Sequence, residues 1–202
     1  LLLHCDAIQA HAESYVGLVE VGVGVVPAWG GCKELLLRYA AEPGRPGGPM
    51  PPLTRAFETI SLAKVATSAA EARELGFLRA QDGITMNRDR LLADAKARAL
   101  ELADGYQPPA PATLCLPGPT ARAALAMAVE GFRLQGKATA HDVVVAGRLA
   151  EVLSGGATDV TVELGEEQLL ALERAAFMAL LREPATLARI EHMLTTGKPL
   201  RN

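Results

Sequence analysis

Ten consecutive residues, Pro43 to Pro52, hold five prolines and three glycines. No helix or strand runs through such a segment, because proline removes the backbone donor and glycine the conformational restriction. A second interruption, Tyr106 to Thr113 (YQPPAPAT), follows farther along. These breaks fix the organisation of the chain. Before the second break strand-like and helical patterns are mixed, and after it they are nearly all helical. The division read from this is 1–105, a connector at 106–113, and a helical subdomain at 114–202. The fold class expected is α/β and helix-rich.

Within these bounds the patterns are specific. Leu1 to Ala10 reads as a buried strand, with a helix left open by its length, and Ser14 to Val19 is short and β-prone. Cys32 to Ala41 reads as a helix, as does Leu53 to Ala66. Ser68 and Glu71 have capping-box spacing before a short helix that Gly76 ends. A short strand fits Gly83 to Thr85, and Asn87 caps a helix through about Asp104. Beyond the connector, 119–135, 138–154, 165–182 and 184–195 have 3.6-type periodicity; Asp159 to Leu164 alternates as a strand would, but its neighbours favour a connector. Aromatic residues make up 4% of the chain, so the core must be built from Ala, Leu and Val.

Charge and cysteine content exclude several classes. Acidic residues number 23 and basic ones 20, a net charge of −3 with no footprint for nucleic acid. Three scattered cysteines make no disulfide framework and suit a reducing, cytoplasmic compartment. No apolar run has the length of a membrane span. The chain opens on Leu1 within an apolar segment and closes on a polar tail, the pattern expected of the C-terminal piece of a longer polypeptide.

The chemistry concentrates between Ala12 and Glu34. Glu20 stands among valines in a glycine-rich stretch that ends at a helix start. A carboxylate desolvated there has a raised pKa, which suits proton transfer near neutral pH. On an edge strand the same residue would be a solvated side chain. Gly30 and Gly31 let a ligand approach the backbone, and the helix N-terminus offers unpaired N–H groups and a positive dipole end. Neither a Walker A nor a GxGxxG pattern is present.

Other candidates are weaker. His4, Cys5 and His11 lack the spacing of a metal site, and no metal is assigned. Ser14 or Ser68 with His141 has no nucleophile elbow. Cys32 at the helix start is either an activated thiol or a small packing residue. Trp29, the only tryptophan, is either a pocket residue or core. Lys198 and Arg201 either meet a phosphate or lie in a solvated tail. The alanines of Ala121 to Gly131 suit either an interface, including one in a homo-oligomer, or the core.

Gly17-Leu-Val-Glu20, Gly24, Pro27 and Gly30-Gly31 resemble the crotonase (enoyl-CoA hydratase/isomerase) superfamily in order and spacing. The segment Ala63 to Phe77 is similar to that family's Ala-x-x-Ala-x-x-x-Gly helix and exit. Arg55-Ala-Phe-Glu-Thr-Ile and the ending Met193 to Asn202 resemble the crotonase part of long bacterial 3-hydroxyacyl-CoA dehydrogenases. The resemblance implies a crotonase-type ββα spiral whose N-terminal strands precede Leu1, followed by the helical subdomain. It implies an acyl-CoA thioester as substrate and hydration of trans-2-enoyl-CoA in fatty-acid β-oxidation. The 3-hydroxyacyl-CoA product would be oxidised with NAD by dehydrogenase domains of the same polypeptide. Glu20 falls on the acid that exchanges the α-carbon proton, with Gly17, Trp29, Gly30 and Gly31 shaping the pocket. Val19 stands where many relatives have proline, and the partner acid falls before Leu1, so the chain alone is expected to be inactive. The alternatives are an enoyl-CoA isomerase with one acid and a non-catalytic helical docking module.

Overall fold

The computed structural model describes residues 1–202. The chain is α/β and helix-rich with short strands, and it divides into two compact units. One comprises Leu1–Gly17 and Val65–Pro111; the other comprises Leu18–Lys64 and Ala112–Asn202. No helix is long and apolar enough to cross a membrane.

In the first unit, β1 (Gln9–His11) runs parallel to β4 (Gly83–Thr85), with Gln9 opposite Gly83 and His11 opposite Thr85. β2 (Val16–Gly17) pairs antiparallel with β3 (Val65–Ala66). Asp82 is the polar hub of this unit. Its buried carboxylate accepts the Ile8 N–H at 3.0 Å and the Arg79 N–H at 2.7 Å. The Arg79 guanidinium then donates to the carbonyls of Cys5 and Asp6. This explains why the expected strand at 1–10 shrinks to Gln9–His11. Carbonyls taken by a guanidinium cannot join a ladder, and Leu2–His4 closes instead as a 3-10 turn that buries Leu3.

Helix α3 (Ala69–Glu74) starts as its sequence requires, with the Ser68 hydroxyl accepting the Glu71 N–H at 3.1 Å. The Glu71 carboxylate returns one residue earlier than in the usual capping box, to the Thr67 N–H and hydroxyl. Gly76, with φ of 77°, follows the helix end. Asn87 caps a 3-10 turn, Arg88–Arg90, which leads into α4 (Leu91–Ala103).

In the second unit, α1 (Gly31–Ala40) packs on α2 (Met50–Ser61). Helix α2 begins three residues before the expected Leu53, inside the proline-rich segment. Pro51 and Pro52 lie in its first turn, where a missing N–H costs no helical bond. Leu53, Ala56, Phe57 and Ile60 form its buried stripe.

Helix α6 (Ala140–Leu153) is the centre of the unit. It packs against α5 (Pro119–Leu134), α7 (Glu166–Leu180) and α2. Thr139 and Asp142 close a reciprocal capping box at its start. Val145, Leu149, Val152 and Leu153 are buried along it, each contributing roughly 1.5–3 kcal/mol. Helix α8 (Pro184–Thr196) completes the helical set.

Helix α5 buries Ala121, Leu125 and Val129, one residue per four, so the rest of its surface faces outward. Ala123, Ala124, Ala126 and Ala128 are exposed and make no core contact of the kind their size permits. The segment 159–164 is mostly a connector, but its last two residues form β6 (Glu163–Leu164), antiparallel to β5 (Leu114–Cys115).

The entry to α5 depends on one glycine. Gly118 has φ of 58° and ψ of −138°, a region open almost only to glycine. A Cβ there would lie 2.0 Å from the Thr158 carbonyl oxygen. Gly118→Ala therefore combines backbone strain with a clash against main chain. It should destabilise the protein by about 3 kcal/mol or more, measured by urea unfolding.

Candidate functional site

Glu20 opens a 3-10 turn, Glu20–Val23, rather than lying on an edge strand. The Glu20 carbonyl receives the N–H groups of Gly24 and Val25. Val21, Val25 and Val26 are buried around the turn. The carboxylate is therefore taken out of water on its apolar side. Its Oε2 is buried and has no hydrogen-bond partner. Desolvation raises the pKa of Glu20, with the N–H groups of Glu20 and Val19 opposing the shift. This chemistry matches the desolvated acid expected from the sequence and excludes the solvated edge-strand reading.

The turn is held from two helices far along the chain. Gly24, with φ of 86°, donates to the Glu20 and Val21 carbonyls. Its own carbonyl accepts the Thr186 hydroxyl of α8 at 2.9 Å. His141 of α6 lies 2.8 Å from the same hydroxyl through Nε2. The hydroxyl has one proton, and that proton goes to Gly24, so His141 Nε2 must be the donor. Burial and the Arg189 charge lower the pKa of His141. His141 is thus a buried partner of Thr186.

The start of α1 departs from expectation. The sequence suggests N–H groups left open there for a ligand. Instead the carboxylate of Glu173, from the middle of α7, fills the position. It accepts the Gly30 N–H at 2.6 Å and the Lys33 N–H at 2.7 Å, and the Cys32 N–H adds a favourable interaction. Glu173 is fully buried. Burial pushes its pKa up to about 7 in spite of these donors. A carboxylate also complements the positive end of the α1 dipole. A phosphate brought to this helix start would meet a buried acid, so the glycine loop does not suit a dinucleotide.

Sequence reasoning missed Glu173, although a signal exists. Leu169, Glu173, Ala176 and Leu180 are the buried residues of α7, at helical spacing. A glutamate on the apolar stripe of an amphipathic helix must have a buried partner. Thr186 gives no comparable signal, because a buried threonine needs no charge partner.

The remaining glycines and Trp29 have distinct settings. Gly31 is the first residue of α1, where a Cβ would lie 2.8 Å from the Pro27 Cβ and 3.1 Å from Leu18. It serves close packing of the loop. Gly30 precedes it with φ of 84°, and its N–H is committed to Glu173. Trp29 is 92% exposed, which removes the core-packing alternative. Gly17 ends β2 and belongs to the first unit.

Cys32 is fully buried, with its thiol donating to the Pro27 carbonyl at 3.4 Å. Burial, reinforced by Glu173 and Glu20, raises its pKa well above that of an ordinary thiol. It is a packing residue and not an activated nucleophile. The tail is not merely solvated either. Asn202 accepts the Arg189 guanidinium at 2.8 Å, and Arg201 donates to the Lys137 carbonyl. Two open clefts of about 240 and 280 Å³ lie along the proline-rich loop, and neither is lined by Glu20.

No family model matches the chain. A Bacillus subtilis protein named as a probable 3-hydroxyacyl-CoA dehydrogenase is 45% identical over 196 residues, covering 96% of this chain and 24% of its own length. A Rickettsia felis protein named as a fatty acid oxidation complex trifunctional enzyme is 27% identical over 194 residues, covering 95% of this chain and 23% of its own length. The chain thus spans about a quarter of the curated relatives it matches.

The Glu173 environment predicts a pH dependence of stability. The folded protein keeps this proton up to about pH 7, while the unfolded chain releases it near 4.5. The folded state therefore binds more protons in that window, and the favourable contribution is complete below it and lost as pH rises through it. The loss should total about 3 kcal/mol. Urea unfolding at pH 5 and pH 7.5 should show it as a difference in slope between wild type and Glu173→Gln. Thiol labelling of the native protein should modify exposed Cys5 and Cys115 and spare Cys32 until denaturant is added.

Proposed function

We propose that this chain forms part of an enoyl-CoA site of the crotonase type within a fatty-acid-oxidation polypeptide, with Glu20 as the acid and base. The observation that carries this reading is the buried, unpartnered Oε2 of Glu20. An acid with a raised pKa retains its proton nearer neutrality, and its carboxylate takes a proton back more readily than a solvated one, so that one residue serves as both acid and base. The crotonase resemblance around this residue and the names of the two relatives support the same reading.

In hydration of a trans-2-enoyl thioester, water adds its hydroxyl to the β-carbon. Glu20 gives its proton to the α-carbon, and a second acid takes the proton that water releases. The enolate formed between these events gains its main stabilisation from backbone N–H donors at the thioester oxygen. The resemblance assigns that second acid to the sequence ahead of Leu1. Within this chain Glu173 cannot take the part, because its oxygens are committed to α1. Oxidation of the 3-hydroxyacyl product with NAD is assigned to the dehydrogenase part of such a polypeptide. Glu20 acting alone would instead move a proton between C2 and C4 of a 3-enoyl thioester, which is the isomerase reading.

The test is Glu20→Gln in the full-length polypeptide carrying this chain. Hydration of crotonyl-CoA should fall by about 10²–10⁴-fold, the range for loss of a positioned acid or base. NAD-dependent oxidation of 3-hydroxybutyryl-CoA should persist. Equal loss of both activities would mean that the substitution acts through folding. Unchanged hydration would favour the docking-module reading. Conversion of 3-enoyl-CoA without hydration of crotonyl-CoA by the wild-type polypeptide would favour the isomerase.

A further inference from the structure

An acid whose carboxylate has a buried oxygen without a partner is not held in place through that oxygen. Its position must come from the backbone turn that carries it. The turn closes through the N–H groups of Gly24 and Val25 on the Glu20 carbonyl. Gly24 is in turn fixed from outside the loop, by the Thr186 hydroxyl on its carbonyl. Thr186 is fully buried in the first turn of α8, and its hydroxyl is oriented by His141 of α6. The approach is tight. A Cβ on Gly24 would lie 3.0 Å from the Thr186 hydroxyl oxygen and 3.2 Å from both its Cα and His141 Nε2. Helix α8 is anchored along the same face, one turn farther on, by buried Arg189, which donates to Thr139 and Asp142 at the start of α6. The path from these helices to Glu20 is thus a continuous set of hydrogen bonds between residues 162 positions apart.

We propose that Thr186 is a positioning residue for Glu20: its hydroxyl, aligned by His141, holds Gly24 and so fixes the turn that aims the Glu20 carboxylate. The inference rests on the proposed role of Glu20 in proton transfer. Thr186 touches no reacting atom. It acts through the main chain, and its effect belongs to the chemical step rather than to substrate binding.

The experiment compares Thr186→Val and Thr186→Ser in the full-length polypeptide, with crotonyl-CoA as substrate and Glu20→Gln as reference. Valine keeps the volume and removes the hydroxyl, leaving the Gly24 carbonyl and His141 Nε2 without their partner. Serine keeps the hydroxyl and removes only a methyl group. Displacement of a reacting group by about 1 Å can cost on the order of 10²-fold. The expected result is a fall in kcat of that order in Thr186→Val, with KM nearly unchanged, and recovery of most of kcat in Thr186→Ser. Thermal unfolding checks that both variants are folded. Wild-type kcat in a folded Thr186→Val would overturn the proposal. So would a Thr186→Ser protein as impaired as Glu20→Gln, which remains decisive where the valine variant does not fold. Loss of turnover in Glu20→Gln without loss in Thr186→Val would overturn this inference alone. Full turnover in Glu20→Gln would overturn the role of Glu20 and this inference with it.

Discussion

A fully buried carboxylate is stabilised by donors that converge on it, and the second unit is organised by one such case. Glu173 sits inside the helical core and takes the N–H groups of Gly30 and Lys33. That contact joins α7 to the start of α1 and sets where the glycine loop must end. Lys33 strengthens the junction through ion pairs to Glu34 and to Glu166, the latter at the start of α7. Without a carboxylate, the first N–H groups of α1 would be unsatisfied in an apolar setting. The pKa of about 7 shows that the donors offset only part of the desolvation cost.

The two ends of the glycine loop are thus held by different chemistry. At Gly30 a charge meets helix N–H groups. At Gly24 a neutral hydroxyl meets a carbonyl, with His141 behind it. Between them lie Val25, Val26 and Pro27, with both valines buried. This arrangement leaves Glu20 as the loop's acid with an unsatisfied oxygen, while the fully buried Glu173 is satisfied. Two glutamates in one unit are separated in role by how many donors each receives. The C-terminal helices are therefore part of what holds the glycine loop, not an appendage to it.

Much of the local structure was legible in the sequence because local rules govern it. Ser68 before Glu71, Gly76 after the helix and Thr139 before Asp142 satisfy or release backbone groups within a few residues. The helices from 119 onward follow their apolar periodicity. The failures come where distant groups intervene or where a local exception applies. Leu1–Ala10 has the composition of a strand, but Arg79 takes the carbonyls of Cys5 and Asp6. Met50 begins α2 inside a proline-rich run because prolines in the first helical turn forfeit no bond. The alanines of α5 are small enough for close packing, yet the helix buries a different stripe.

The sequence by itself determined which segments are helical, the Ala, Leu and Val core, and the presence of one acid among valines and glycines. Those follow from spacing and residue type, which act over a single turn or strand. The tertiary structure alone decided that Oε2 of Glu20 lies buried without a partner. It alone decided that Glu173 occupies the α1 start and that Thr186 holds Gly24. Each of these contacts joins groups 140 or more residues apart, as 162 for Thr186 to Gly24 and 140 for Glu173 to Lys33. Sequence patterns record which side chains face inward. They do not record which inward-facing groups meet, because that depends on how whole helices pack.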